Sequence, residues 1–219
     1  GVVTDEDMVE AAAVISAVPW DRLDKLSSET MKRADARLRN LDALEVSPIL
    51  GVHLWFAREV MTIPLLVLVD QPVHWLFNKG LHGDAGKRQH LHAVISAADA
   101  WMDLDEAEIV RKVLHDIHEV LPASRGLEPV QARSVKEKRA TFAATPQSER
   151  FRPATAPAFS AGGAISNLFV AGDWTDTGWP ATMEGAVRSG YTAAGAILDR
   201  DLAVEEVPPT WLARKLGLR

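Results

Sequence analysis

The chain has no cysteine among its 219 residues. That excludes a disulfide framework, a thiolate nucleophile and a cysteine metal site, and it fits a reducing compartment. No excess of basic charge is present either. With 24 Lys and Arg against 30 Asp and Glu, the formal net charge is -6. No nucleic-acid partner is expected, because binding phosphates needs concentrated cations. The longest strongly apolar run, residues 64–69, is far too short to span a bilayer. The opening Gly1-Val-Val-Thr-Asp-Glu-Asp7 has no basic leader and reads as the interior of a longer chain, not a targeting signal. No Gly-x-Ser-x-Gly elbow occurs, and the scattered Ser and His residues establish no triad. Also missing is a Gly-x-Gly-x-x-Gly turn between a strand and a helix, the element that cradles a dinucleotide pyrophosphate.

An apolar fraction of 47% supports a real core. The length allows one large domain or two small ones. Residues 11–18 read as a buried strand with Val14, Ile15 and Val18 as its bulk, stopped by Pro19. Residues 20–26 suit a short helix. Residues 27–44 are charged and helix-compatible, with Leu38, Leu41 and Leu44 on one face and Arg33, Arg37 and Arg39 on a solvated one. Val52, Leu54 and Phe56 then alternate with His53 and Trp55, giving a strand with one apolar and one aromatic face. Further strands are expected at 65–69, at 73–77 (ended by Asn78-Lys-Gly80) and at 89–97, with a polar loop over 81–88. Strands so close in sequence imply an antiparallel or mixed sheet. Asp103-Leu-Asp-Glu106 has capping-box spacing before a helix that places Ile109, Val113, Ile117 and Val120 or Leu121 on one face. Pro122 ends that helix. An extended segment falls within 128–142, and a long Pro/Ala/Ser/Thr-rich loop covers 143–163. The tail, 203–219, is expected to pack weakly.

The most informative stretch is Phe169-Val-Ala-Gly-Asp-Trp-Thr-Asp-Thr-Gly-Trp-Pro-Ala-Thr-Met-Glu-Gly-Ala-Val-Arg-Ser-Gly190. A short apolar strand runs into Gly172 and Asp173. Glycine lets a ligand approach the main chain, and the short carboxylate can accept a hydrogen bond from a ribityl or sugar hydroxyl. Pro180 stiffens the approach to a helix whose N-cap is Thr182. The amides of Glu184, Gly185 and Ala186 have no partners in the first helical turn. They suit the carbonyl side of a flavin ring, where a helix N-terminus stabilises charge on the reduced form. Trp179 either lines that cavity or belongs to the core. A small stripe of Ala186, Gly190, Ala193 and Ile197 lets the helix lie close to a sheet or cofactor. His90 and His92 share a strand face, and His115 and His118 a helix face, but neither pair has persuasive metal spacing, so no metal is expected.

This segment resembles the C-terminal flavin-binding motif of the flavin amine oxidase and phytoene desaturase superfamily. More closely, it resembles the hydroxysqualene dehydroxylase branch. Three other stretches carry the same resemblance: Ser47-Pro-Ile-Leu-Gly-Val-His-Leu-Trp-Phe56, Val73-His-Trp-Leu-Phe-Asn-Lys-Gly80 and Val135-Lys-Glu-Lys-Arg-Ala-Thr-Phe142. The resemblance implies a mixed α/β fold: part of a Rossmann-like FAD domain joined to a substrate domain with an antiparallel or mixed sheet. It divides the chain into an FAD-domain re-entry segment (1–26), a substrate-domain portion (27–142), a C-terminal FAD segment (143–200) and a tail (201–219).

The cofactor it implies is FAD, held by Val18, Pro19, Gly172, Asp173, Trp179, Pro180, Ala181, Thr182, Met183, Glu184, Gly185 and Ala186. The catalytic residues stay unassigned. Lys136, Lys138 and Arg139 sit either near an anionic group or on a solvated edge. The implied reaction is reductive dehydroxylation of hydroxysqualene to squalene, in hopanoid precursor synthesis. The alternatives are a carotenoid or phytoene desaturase-like enzyme, or a noncatalytic half-domain that completes a site with a partner chain. The implied partners are an isoprenoid lipid and the N-terminal half, in cis or on a complementary chain. A cytoplasmic location with peripheral contact at the inner membrane is expected, because the substrate is oily.

Overall fold

A computed structural model describes residues 1–82, 88–157, 163–202, 208, 210–215 and 217. In chain order its strands and α-helices are β1 (Val2–Val3), β2 (Met8–Val9), β3 (Val14–Ser16), α1 (Trp20–Leu26), α2 (Glu29–Ala34), β4 (Val46–Phe56), β5 (Leu65–Val67), β6 (Trp75–His82), β7 (Arg88–Ser96), α3 (Glu106–Val120), β8 (Gln131–Phe142), β9 (Leu168–Val170), α4 (Met183–Leu198) and α5 (Trp211–Lys215). They form two compact units. One comprises Gly1–Leu44 with Ala144–Arg219, and the other is Glu45–Ala143. Residues 27–44 therefore group with the discontinuous unit, where Leu38, Leu41 and Leu44 are buried and the Trp20 indole donates to the Leu44 carbonyl.

The continuous unit is an antiparallel sheet in the order β5-β6-β7-β4-β8. Strict alternation along β4 and β7 sends Leu50, Val52, Leu54, Phe56, Leu91, Ala93 and Ile95 to one face. There they form a single buried cluster with Ile109, Val113 and Ile117 of α3. The cap of α3 is Asp105, whose carboxylate accepts from the Glu108 amide, so the box sits two residues later than Asp103. Two polar side chains are buried with specific partners. Gln89 binds the backbone of Val60 and Met61, and Asp116 accepts from the Val73 amide. Strand β6 does not stop at Asn78-Lys-Gly80. Its pairing with β7 shifts between Asn78 and Leu81, and Gly80 takes a φ of 90°, so the strand passes through a bulge and resumes. The expected loop at 81–88 is thereby shortened, and residues 83–87 lie outside the described residues.

In the discontinuous unit, β3 and β9 pair in parallel, with Ile15 opposite Phe169. Only residues 14–16 of the expected 11–18 strand are extended and paired, and Ile15 is 46% exposed. All three residues of β9 are buried. Arg37 is not on a solvated face. Its guanidinium pairs with the fully buried Asp35 at 2.6 Å and donates to the carbonyls of Thr155 and Leu168. Burial pushes the Asp35 carboxyl up, but hydrogen bonds from Arg37 and the Ile165 amide outweigh that and hold it below its usual value. Among the described residues, no helix is long and apolar enough to cross a membrane.

Candidate functional site

The segment from β9 to α4 folds as a strand, a tight loop and a helix. Gly172 lies two residues past the end of β9, and its amide donates to Ser189 Oγ at 2.7 Å, which in turn donates to the Ala186 carbonyl. A Cβ on Gly172 would run into the Trp174 indole. The space that the sequence assigns to an approaching ligand is therefore filled from within, because the buried Trp174 folds back over the α-carbon. Gly185 is buried as well. A Cβ there would lie 3.1 Å from the Pro180 carbonyl oxygen, so its missing side chain lets the loop rest against the helix.

Thr182 is the N-cap of α4, as its place in the motif predicts; its hydroxyl accepts from the Gly185 amide at 3.1 Å. The Ala186 amide donates to the Thr182 carbonyl. Gly185 and Ala186 are thus not the open donors of this turn. Among the described residues, the amides of Met183 and Glu184 are the ones left without an acceptor. The side chains there are open too, Met183 being 89% exposed. Glu184 is paired with Arg188 at 2.8 Å, one helical turn later. Arg188 also covers the Trp179 ring, 4.7 Å from its centroid.

The helix buries Gly185, Ser189, Ala193 and Gly195; of the expected stripe Ala193 is buried and Ala186 half-buried, while Gly190 and Ile197 are exposed. With alanine and glycine on several faces, hydrophobicity alone does not fix the helix phase. The Gly172–Ser189 hydrogen bond does.

Arg152, in the Pro/Ala/Ser/Thr-rich loop, is the residue that sequence reasoning missed. Its side chain is 2% exposed. Its Nη2 donates to the carbonyls of Asp173 (3.1 Å), Thr175 (2.6 Å) and Trp179 (2.7 Å), while Nη1 pairs with Glu149 at 3.0 Å. One buried cation thus gathers three carbonyls spread along the 173–179 loop. The available signal was slight: a single Arg-Pro preceded by Glu149 and Arg150 in the Pro/Ala/Ser/Thr-rich loop. That loop is ordered where described, and its Thr155 carbonyl accepts from the Val170 amide; residues 158–162 lie outside the described residues.

The remaining candidates fall at the start of the same unit. Val18 is half-buried and Pro19 exposed, one strand-end away from β3, where Ser16 accepts from the Ala171 amide. Asp173, Trp179 and Ala181 are half-buried, and Pro180 is exposed. Lys136 belongs to neither expected setting. It donates to the carbonyls of Met102 and Leu104 and so ties β8 to the turn before α3. Among the described residues no group of three His, Asp or Glu side chains comes together to hold a metal ion. The donor set of the motif fits a neutral or anionic carbonyl acceptor: two free amides at the N-terminus of a 16-residue helix, with no acidic side chain left unpaired in its first turn.

Comparison with known proteins identifies the family. The profile of the family described as flavin containing amine oxidoreductase matches residues 1–198. The hydroxysqualene dehydroxylase of Sinorhizobium fredii is 38% identical over 162 residues, covering 74% of this chain and 34% of its own length. The 15-cis-phytoene desaturase of Synechococcus elongatus is 30% identical over 204 residues, covering 90% of this chain and 42% of its own. The chain thus spans less than half the length of these relatives. Among solved structures, wild-type putrescine oxidase bound to putrescine superposes with a TM-score of 0.60 at 18% identity, over 90% of this chain and 45% of its own. That match gives the amine oxidase fold.

Proposed function

Because the chain belongs to the flavin containing amine oxidoreductase family, we propose that it carries the ring-side half of an FAD site in an enzyme that converts hydroxysqualene to squalene. The observation that carries this reading is the 38% identity to a hydroxysqualene dehydroxylase, joined to a helix N-terminus whose first two amides are open. In this reading the Met183 and Glu184 amides hold the carbonyl edge of the flavin ring. Asp173 binds a ribityl or sugar hydroxyl, and Val18, Pro19, Trp179, Pro180 and Ala181 border the ring. Thr182, Gly185 and Ala186 shape the turn. Arg152 sets the loop in place without touching the cofactor.

When bound and reduced, the flavin supplies a hydride to the carbon that loses its hydroxyl. The chain's own part is to fix the ring, to stabilise negative charge at its carbonyl edge through the helix N-terminus, and to keep the surroundings apolar. The pyrophosphate cradle belongs to a glycine-rich half outside residues 1–219, on the same polypeptide or on a complementary chain. The two-stranded β3–β9 sheet supports that, since a parallel pair is stable only as part of a larger covered sheet. So does the exposed apolar face of α4 at Met183, Val187, Tyr191 and Leu198. A role in hopanoid precursor synthesis, a cytoplasmic location and peripheral membrane contact complete the proposal.

The 30% identity to a phytoene desaturase over 90% of the chain favours a second reading, in which substrate is oxidised and the flavin reduced. Anaerobic mixing separates them. In the flavin-loaded protein that contains this chain, hydroxysqualene reoxidises reduced flavin and yields squalene if the first reading holds. Bleaching of oxidised flavin by phytoene establishes the second. Residues 1–219 by themselves are expected to retain FAD weakly or not at all, and tight saturable binding, read by flavin fluorescence, contradicts the division of the site into two halves.

A further inference from the structure

The sheet face turned away from α3 carries an imidazole cluster that the flavin motif does not use. Strand register sets His53 of β4 opposite His92 of β7, and Trp55 opposite His90. Phe77 of β6 stands opposite His92, and Arg133 of β8 opposite His53. The rings are stacked: His53 on His92 with centroids 4.1 Å apart and planes 8° apart, and Trp55 on His90 at 4.4 Å and 13°. A diagonal hydrogen bond of 3.0 Å joins His53 Nδ1 to His90 Nε2. His92 lies across Gly51, where a Cβ would stand 2.8 Å from its Nε2, so a side chain there would push the His92 ring aside.

All three histidines are half-buried. Burial, with Lys79 nearby, holds His53 below the ordinary imidazole value. The same burial, together with His53, His90 and Lys79, takes His92 down to about 4. Both rings are therefore uncharged near neutrality.

An uncharged imidazole bonded through Nδ1 has a fixed role at Nε2. If His53 accepts from His90, its Nε2 carries the proton and donates. If His53 donates to His90, its Nε2 accepts. Among the described residues no protein group hydrogen-bonds to His53 Nε2. A hydroxyl answers either state with one oxygen, because it is both donor and acceptor. A carboxylate or phosphate answers only the first. The stacked rings on both sides offer π faces to carbon–carbon double bonds.

We infer that His53, held in place by His90, is the binding site for the hydroxyl of an allylic isoprenoid alcohol, with Trp55, His92 and Phe77 packing against the adjoining double bonds. The inference rests on the dehydroxylation reading and sharpens it, since it gives this sheet a means of choosing an alcohol over the corresponding hydrocarbon. A desaturase acting on a hydrocarbon has no use for such a group.

The test uses the flavin-loaded protein that contains this chain, with hydroxysqualene and squalene as probes and H53F as the variant that keeps a ring but loses the hydrogen bond. The unvaried protein binds hydroxysqualene about tenfold more tightly than squalene, the value of one hydrogen bond to a partly buried partner. In H53F that ratio falls to about one, with squalene affinity and the flavin spectrum unchanged. A ratio unaltered in H53F, while the unvaried protein still makes squalene, overturns the inference and leaves the reaction standing. Failure of the unvaried protein to convert hydroxysqualene overturns both. Should H53F not fold, the ring nitrogens of His53 in the unvaried protein, followed by ¹⁵N NMR, decide the matter. A shift with hydroxysqualene that squalene does not reproduce supports the site, and identical responses to the two overturn it.

Discussion

Arg152 Nη2 lies 2.7 Å from the carbonyl oxygen of Trp179, 27 residues further along the chain. The same nitrogen holds the carbonyls of Asp173 and Thr175. A cation buried to this degree is tolerated because the loop carbonyls and Glu149 replace its water. R152A leaves those carbonyls without their donor and is expected to cost about 2–3 kcal/mol, measured by urea denaturation. R152K recovers part of the loss, since an ammonium can reach some of the carbonyls but lacks the planar fork. Equal stability of R152A and the unvaried chain contradicts the clamp.

Gly172 and Trp174 occupy one space between them. G172A is expected to destabilise by about 1–3 kcal/mol, the usual range for overpacking. Combined with W174L, which vacates the indole's place, the alanine costs less than it does alone. Additive effects in the double variant, read from the same denaturation curves, sink this explanation.

Thr182 caps a helix whose next acceptor-free amides are the proposed flavin contacts. T182A removes the hydroxyl that the Gly185 amide uses; the expected loss is about 1 kcal/mol of stability. T182S retains the oxygen and most of the stability. In the flavin-loaded protein, T182A also weakens FAD retention on dilution while T182S does not, which flavin fluorescence follows directly.

His92 makes stability depend on pH. Its value is about 4 in the folded chain against 6.5 for a free imidazole. Below pH 6.5 the unfolded chain takes up a proton that the folded chain refuses, so unfolding gains ground. The contribution of His92 is complete above about pH 6.5 and is lost as the pH falls toward 4. Partial exposure of the ring makes the slope shallower than the full shift implies. The transition midpoint of the unvaried chain falls across that window, and H92F falls less steeply. Parallel curves for the two proteins contradict the assignment.

Much of this protein was legible locally. Alternation fixed which side chains of β4 form the core, because a pleated strand exposes every second residue to one face whatever surrounds it. Thr182 could be recognised as a cap from its place before a helix, since the partner amide is three residues away. The glycines and the Gly-Asp strand end marked the flavin family for the same reason: their requirements are written into neighbouring residues.

Other features needed the tertiary structure. Nothing near Arg152 in the sequence announces carbonyl partners more than 20 residues downstream, or places Arg37 beneath Thr155 and Leu168. The inward face of α4 was ambiguous between small residues until Ser189 met the Gly172 amide. His90 and His92 could be placed on one strand face, but only strand register set His53 beside them. The sequence by itself determined the family, the alternating core and the capped helix of the motif, all of which depend on short-range pattern. The buried cation, the helix phase and the imidazole stack were decided only by the tertiary structure, because each joins groups that are distant along the chain and adjacent only once the backbone is paired and packed.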